Sequence, residues 1–353
     1  MMFSRVLSRY LHVSVPVNGV NKEALMELRK KTGYAFSNCK KALESSDNDV
    51  KKAEKWLKEE AKKQGWAKAA QVNNRTAAQG LIAVHVDGQY AAMAEVNCET
   101  DFVARNADFQ DFASQIIKAS VKYAKKLPSL STIVTKLSLG AKEMEKLRLK
   151  DGKHLNDVRA LTVGRLGENI VLKRVLCIRV DAPQVRIAGY CHAVGGPSSH
   201  DYPTFGKYGS LVTYTENEGC QLDDAELKQL GQNLCQQVIG MNPTSVGLLE
   251  DFVKAMEDEA KAKEAKEEKL KEKAKEKKDE TGEAATTPQA KEEEGTTEEE
   301  EGTTEEEEVS ENRLLFQEYV ANPDIKVGTV VADSQIDILD FVRFECGEPE
   351  PVE

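Results

Sequence analysis

The sequence lacks the short motifs by which many enzymes are recognised. It has no phosphate-binding Gly-x4-Gly-Lys-Ser/Thr loop, no dinucleotide-binding Gly-x-Gly-x-x-Gly and no Gly-x-Ser-x-Gly nucleophile turn. Its five histidines are scattered without the spacing of metal ligands. Cys191 and His192 are adjacent on a predicted strand, where neighbouring side chains point to opposite faces and cannot pair as nucleophile and base. The sequence therefore predicts no enzyme, no metal and no cofactor.

Cysteine pairs and long apolar runs are also lacking. The seven cysteines are widely spaced and form no Cys-x-x-Cys, and Cys177 lies in an apolar run where a free thiol behaves as a small apolar group. This pattern indicates a reducing compartment and excludes a disulfide scaffold. No stretch approaches the roughly 20 apolar residues that span a bilayer, so no membrane partner is predicted.

Acidic residues are absent before Glu23. Around a helix, Phe3, Val6, Leu7, Tyr10 and Leu11 share one face, and Arg5 and Arg9 lie off it. An amphipathic, arginine-bearing start without acid is typical of a mitochondrial transit segment. We therefore interpret residues 1–18 as a transit segment and expect the mature chain in the mitochondrial matrix. The alternative is a frayed, disordered N-terminus.

The acidic charge is confined to one region. The 353 residues carry a net charge of −11, but residues 254–312 hold 11 Lys against 23 Asp and Glu, which is −12, so the remainder is close to neutral. Within this region, residues 251–280 are predicted as a Lys/Glu helix. Residues 281–312 repeat the pattern EEEEGTT and are predicted as a disordered acidic insert.

Hydrophobic periodicity predicts an α+β protein. The predicted parts are a three-helix module (19–65), a linker (66–79), two core halves (80–150 and 151–250) of antiparallel sheet plus helix, and a C-terminal segment (313–353) that packs back on the core across the acidic insert. Each half is expected to contain a hairpin, the first of strands 80–86 and 90–96 and the second of strands 168–180 and 184–194. Gly65 is expected to end the third helix of the module, which Asp47 or Asn48 would cap. The module is rich in lysine, but glutamates are interspersed, so no direct nucleic-acid partner is predicted.

One segment, Glu95–Asn106, places an aromatic beside a carboxylate in a stretch expected to be irregular. Phe102 next to Asp101 would suit insertion into a partner's cleft. Alternatively, Phe102 caps the local core and Asp101 caps a turn. The residues alone leave these two interpretations open.

A family resemblance favours the interpretation that Phe102 inserts into a partner's cleft. Val96-Asn97-Cys98-Glu99-Thr100-Asp101-Phe102-Val103-Ala104-Arg105-Asn106 resembles the motif of elongation factor Ts, the nucleotide-exchange factor of elongation factor Tu. Five further stretches resemble the same family in the same order. Leu28–Gly33 and Asn38–Leu43 are similar to its ubiquitin-associated-like domain, and the others are Gly167–Ile170, Gly189–His192 and Phe341–Glu348. The resemblance covers residues 22–250 and 313–348, and the transit pattern suggests the mitochondrial branch.

The resemblance implies a guanine-nucleotide exchange factor whose partner is elongation factor Tu. Residues Thr100, Asp101, Phe102 and Val103 would dock on the partner's G domain, with Phe102 as a wedge beside the Mg²⁺ and phosphate site. The resemblance also implies contacts by Arg29, Phe36, Lys40 and His192. Two departures are expected to matter. Phe36-Ser37 stands where the family often has two apolar residues, and the acidic insert lies in a region that varies within the family.

Two other classes of function remain open. The three-helix module and acidic tract would suit an adaptor that binds ubiquitin or nascent chains, but that interpretation gives Thr100–Val103 no role. A Cys/His hydrolase would need a nucleophile and base brought together by the fold.

Overall fold

The computed structural model describes residues 20–32, 34, 36–129, 132–192, 203–279 and 312–349, without the side chains of 267–279. The predicted transit segment and almost all of the predicted acidic insert lie outside these residues. The chain forms two compact units. Among the described residues, one unit contains those up to Asn74 together with Arg159–Gly167, and the other contains Arg75–Val158 and those from Glu168 onward.

The N-terminal unit begins with helices α1 (Lys22–Thr32), α2 (Phe36–Glu44) and α3 (Val50–Val72). Their shared core is apolar and includes Leu28, Cys39, Leu43 and Leu57. Asp49 caps α3 by accepting bonds from the backbone N–H groups of Lys51 and Lys52. The prediction that Asp47 or Asn48 caps this helix is wrong, because both adopt positive φ in the preceding turn.

Helix α3 does not end at Gly65 as predicted, and it fills the first half of the segment predicted as a linker. Gly65 instead allows α3 to pack closely against another helix, α7 (Leu155–Leu166). A Cβ at Gly65 would lie 2.4 Å from the carbonyl oxygen of Ala160 on α7, and a Cβ at Gly164 would lie 3.1 Å from Gly65 Cα. Helix α7 spans Leu155–Leu166, and its part from Arg159 belongs to this unit.

Two antiparallel sheets build the second unit. Their strands are β1 Gln79–Asp87, β2 Tyr90–Cys98, β3 Val134–Ser138, β4 Val171–Val180, β5 Val185–His192, β6 Thr204–Gly206, β7 Tyr208–Glu216 and β10 Ile336–Glu345. The first sheet has the order β3-β4-β2-β1-β6 and the second has the order β10-β7-β5. A short hairpin is formed by β8 (Glu318–Tyr319) and β9 (Asn322–Lys326). The remaining helices are α4 Asp101–Ala104, α5 Ala107–Ala124, α6 Ala141–Lys146, α8 Asp224–Met241, α9 Leu249–Asp279 and α10 Val327–Asp333.

The first predicted hairpin is confirmed, and the second is wrong. Strands β1 and β2 pair around Gly88, whose φ of 61° suits the tight turn. Strand β4 pairs with β2 and β3, whereas β5 pairs with β7. Residues 181–184 therefore carry the chain from one sheet to the other and do not close a hairpin.

The two sheets pack face to face, with a helix on each outer face. Ile82, Met93 and Leu211 lie in the apolar layer between the sheets. Here a Cβ at Gly209 would lie 2.5 Å from the Ile82 side chain, so glycine permits the close packing. Helix α5 covers the first sheet, helix α8 covers the second, and the order of layers is helix, sheet, sheet, helix. The predicted α+β class is confirmed.

The C-terminal segment returns to the second sheet, as the apolar sequence after the acidic region indicates. Strand β10 pairs with β7 from Ile336 to Glu345, with one irregularity near Asp340. Phe252 near the start of α9 is buried against Gly328 of α10 and meets Phe316 edge-on at 5.5 Å. Strand β10 thus forms one edge of the second sheet.

Candidate functional site: an exposed aromatic turn

The segment after β2 forms a single helical turn, α4, and is not irregular there as predicted. Thr100 is the N-cap, with extended backbone, and its side-chain oxygen accepts a bond from Val103 N at 3.4 Å. Arg105 N closes the turn by donating to Asp101 O at 3.2 Å. The sequence folds this way because a β-region threonine before three helix-compatible residues satisfies an otherwise free N–H.

Phe102 projects from this turn into solvent. It is 80% exposed, the highest value among the large apolar side chains that the structure describes, while Ala104 is the buried residue of the turn. The interpretation that Phe102 caps the local core is therefore wrong. Asp101 does not cap the turn either, since Thr100 does, and its carboxylate pairs with Arg105 at 3.1 Å.

The base of the turn is held by a carboxylate distant in sequence. Glu168 accepts from Glu99 N at 3.1 Å, from Thr100 N at 3.0 Å and from the Thr100 hydroxyl at 2.7 Å. In return, Glu99 accepts from Asn169 N at 2.7 Å and lies 3.5 Å from Arg75. Five contacts that join three chain segments thus fix the residues that precede α4.

The sequence did not reveal these anchoring residues. The stretch from Gly167 to Ile170 resembles the family, but no role follows from the sequence for Glu168 or Asn169. Their contact with Glu99 and Thr100 joins positions about 70 apart, which no local pattern encodes.

A small depression of about 80 Å³ lies beside the turn. Asp101, Arg105 and Gly206 are among the residues that line it. A Cβ at Gly206 would lie 2.1 Å from the His192 carbonyl oxygen, so the end of β5 is packed against the rim of this depression. His192 itself is exposed. The structure therefore places His192 near the same edge of the core unit as Phe102.

The other sequence-predicted contact residues belong to the N-terminal unit. Arg29 is exposed on α1, and Phe36 at the start of α2 is 54% exposed. Lys40 is exposed on α2, 3.8 Å from Glu44. All three are accessible to a partner.

The geometry gives no support to a hydrolase built on Cys191. That thiol is buried, and burial raises its pKa to about 12, so it stays protonated near neutral pH. Across the described parts of the chain, no group of His, Cys, Asp and Glu side chains is arranged to hold a metal ion. Within those same parts, no helix has the length and apolar character needed to cross a membrane.

Comparisons with known proteins identify the class. Residues 99–348 match the family model described as Elongation factor TS, and residues 8–67 match the model described as Elongation factor Ts, mitochondrial, N-terminal. The chain belongs to the elongation factor Ts family and is a translation elongation factor of that class.

Three relatives of the chain are named as mitochondrial members of the family. The chain is 38% identical to Elongation factor Ts, mitochondrial, of Branchiostoma floridae over 350 residues, which cover 98% of this chain and 95% of the relative. It is 35% identical to the protein of the same name from Homo sapiens, covering 94% and 84% of the two chains. The Drosophila melanogaster protein of that name is 34% identical, covering 99% and 94%.

Proposed function

We propose that the chain is the guanine-nucleotide exchange factor of mitochondrial elongation factor Tu and acts in the mitochondrial matrix. It would promote GDP release during translation elongation by docking on the partner's G domain, without covalent chemistry. The observation that carries the proposal is the exposure of Phe102 on a turn fixed at its base by Glu168.

The energetics of Phe102 fit a wedge. An exposed phenylalanine stabilises the free chain very little, whereas burying its side chain in a partner's cleft would contribute about 2 kcal/mol. Because the turn is already ordered, little of that energy is lost in arranging the backbone. The gain can then offset the partner's loss of contacts to phosphate and Mg²⁺.

Thermodynamic linkage completes the mechanism. If docking lowers the partner's affinity for GDP by some factor, GDP must lower the partner's affinity for the exchange factor by the same factor. The exchange factor therefore favours the nucleotide-poor state of its partner and is displaced when a nucleotide binds again. Asp101 would be the polar companion of Phe102 at this site.

The remaining contacts are proposed from exposure and family resemblance. Arg29, Phe36 and Lys40 would form a second contact, made by the N-terminal unit. His192 would extend the contact made by Phe102, since the His192 backbone packs against Gly206 at the rim beside the turn. Two linked contacts raise affinity beyond that of either alone.

The proposal is tested by the release of fluorescent GDP from purified mitochondrial elongation factor Tu. We expect the wild-type chain to accelerate release, and Phe102→Ala to slow the accelerated rate by about tenfold or more, as is usual for a central aromatic contact. Leu248→Ala is the matched control because Leu248 is 66% exposed and lies outside the proposed contact. It should leave the rate unchanged.

Two results would count against the proposal. An unchanged GDP release rate with the wild-type chain would remove the exchange function. Capture of ubiquitin without any effect on GDP release would support the adaptor interpretation instead.

A further inference from the structure

We propose that Glu168 is a positioning residue for exchange, which acts through Thr100 to hold Phe102 in the orientation that enters the partner. This inference rests on the proposed function and deepens it. It assigns a role to a residue that contacts neither the nucleotide nor, on this view, the partner.

The hydrogen bonds form a relay from Glu168 to the turn. The hydroxyl of Thr100 has one proton, and that proton is committed to Glu168 Oε1 at 2.7 Å. The lone pairs of the same hydroxyl are therefore left to accept from Val103 N at 3.4 Å. Glu168 thus orients the Thr100 hydroxyl. The bond from Val103 N to this hydroxyl joins the residues that lie before and after Phe102.

The other carboxylate oxygen fixes the entry to the turn. Glu168 Oε2 accepts from two consecutive backbone groups, Glu99 N and Thr100 N, at 3.1 and 3.0 Å. Bonds to a charged acceptor are stronger than bonds between neutral groups. Both oxygens of Glu168 are therefore used, and all three donors lie directly before α4.

The turn is also held by backbone bonds, such as Arg105 N to Asp101 O at 3.2 Å, and by the Asp101–Arg105 pair, but these lie mostly within the turn itself. A helix of four residues is too short to be stable by itself. Phe102 is exposed and contributes no packing, and Ala104 is the buried residue of α4. The polar anchor at Glu168 adds a restraint on the N-terminal side of Phe102, where it fixes both the backbone and the hydroxyl of Thr100.

The first test is Glu168→Gln, which keeps the size of the side chain. If the glutamine nitrogen takes the place of Oε2 it faces two backbone donors, and if it takes the place of Oε1 the Thr100 hydroxyl must reverse and accept from it, so the present arrangement is lost in either orientation. We expect the GDP-release rate at saturating factor to fall by about tenfold while the overall fold, read by circular dichroism and thermal midpoint, is retained. The matched control is Glu216→Gln, whose carboxylate pairs with Arg186 on the second sheet and is not part of the turn. It should leave the rate at the wild-type value.

The second test separates positioning from general structural support. In a Phe102→Ala background, Glu168→Gln should slow exchange no further, because its effect passes through the missing ring. If the two substitutions instead multiply their effects, Glu168 acts independently of Phe102 and the inference is wrong. An unchanged rate for Glu168→Gln alone would also overturn it.

These outcomes are distinguishable from failure of the proposed function. If the wild-type chain does not accelerate GDP release, the exchange function itself is wrong and the role of Glu168 falls with it. If Phe102→Ala slows release and Glu168→Gln does not, the exchange function stands and the positioning role alone is lost.

Discussion

Two stretches that resemble the family in sequence do opposite things in the structure. The turn around Phe102 is exposed and held by hydrogen bonds at its base. The C-terminal stretch Phe344–Glu348 is joined to the first sheet by a buried charge network. A family motif therefore does not by itself distinguish an exposed stretch from a structural support, whereas the exposed fraction of its side chains does.

Arg174 is the centre of the C-terminal network. Its guanidinium donates to Glu95 Oε2 at 2.7 Å and to the Glu345 carbonyl at 3.0 Å, and it stacks 4.0 Å from the centre of the Phe344 ring. Glu95 is completely buried and also accepts from Gly347 N at 2.8 Å. The charge of Glu95 is balanced by Arg174 and, at 3.5 Å, by Lys173.

The largest effect on stability is expected for Arg174→Met. Removing one partner of a buried pair leaves a poorly compensated charge, so the free energy of unfolding should fall by about 3 kcal/mol. Urea unfolding followed by circular dichroism measures the change. Arg186→Met is the control, since its pairs with Glu216 and Asp224 are more exposed and should contribute less than about 1 kcal/mol. An equal fall in the free energy of unfolding of the two variants would show that the C-terminal network stabilises the fold no more than the exposed pairs of Arg186 do.

A smaller effect is expected for Thr100→Val. This change removes the N-cap of α4 and the hydroxyl bond to Glu168, and it should cost about 1 kcal/mol of stability while slowing exchange. Thr100→Ser keeps the hydroxyl and should restore both properties. If valine leaves the exchange rate intact, the cap does not control Phe102.

Phe102→Ala should have almost no effect on stability. Because the ring is exposed, we expect the free energy of unfolding to stay within about 0.5 kcal/mol of wild type, while exchange slows by about tenfold or more. Urea unfolding of the same preparation used for exchange measures both properties. A fall of several kcal/mol in the free energy of unfolding would instead mean that the ring packs on the core. The turn would then support the structure as the C-terminal stretch does.

The smallest effect concerns two thiols, one in each stretch. Burial raises the pKa of Cys98 to about 12 and that of Cys346 to about 11. A raised pKa lowers the thiolate fraction, so both should resist alkylation at pH 8 and react increasingly as the pH rises toward these values. Mass spectrometry after brief iodoacetamide treatment should find the partly exposed Cys220 modified first. Rapid labelling of Cys98 at pH 8 would mean that the base of the turn opens readily.

Periodicity predicted much of the fold because it reports which faces are buried. Strands β1 and β2 and helices α5 and α8 follow the apolar pattern, and Asn106 and Asp223 cap the two helices as polar residues before apolar runs. The same pattern cannot show which strands pair. Strands β4 and β5 are adjacent in sequence with a turn between them, yet they belong to different sheets.

The wrong prediction that α3 ends at Gly65 and the failure to recognise Glu168 in the candidate site have related causes. Gly65 resembles a helix stop in sequence, but its role depends on the carbonyl of Ala160, about a hundred residues away. For the site, the sequence indicated Phe102 and Asp101 as unusual neighbours. Their exposure and the support from Glu168 required the fold, since both depend on contacts between distant segments.

The pairing of β10 with β7 also has a consequence for incomplete chains. Strand β7 is the middle strand of the second sheet, and one of its two neighbours is separated from it in sequence by α8, α9 and the acidic region. A polypeptide terminated before Ile336 would leave one edge of β7 with unpaired backbone groups, and such an edge readily pairs with other chains. Premature stop codons upstream of Ile336 should therefore yield aggregates, and a shortened factor with weak activity is not expected.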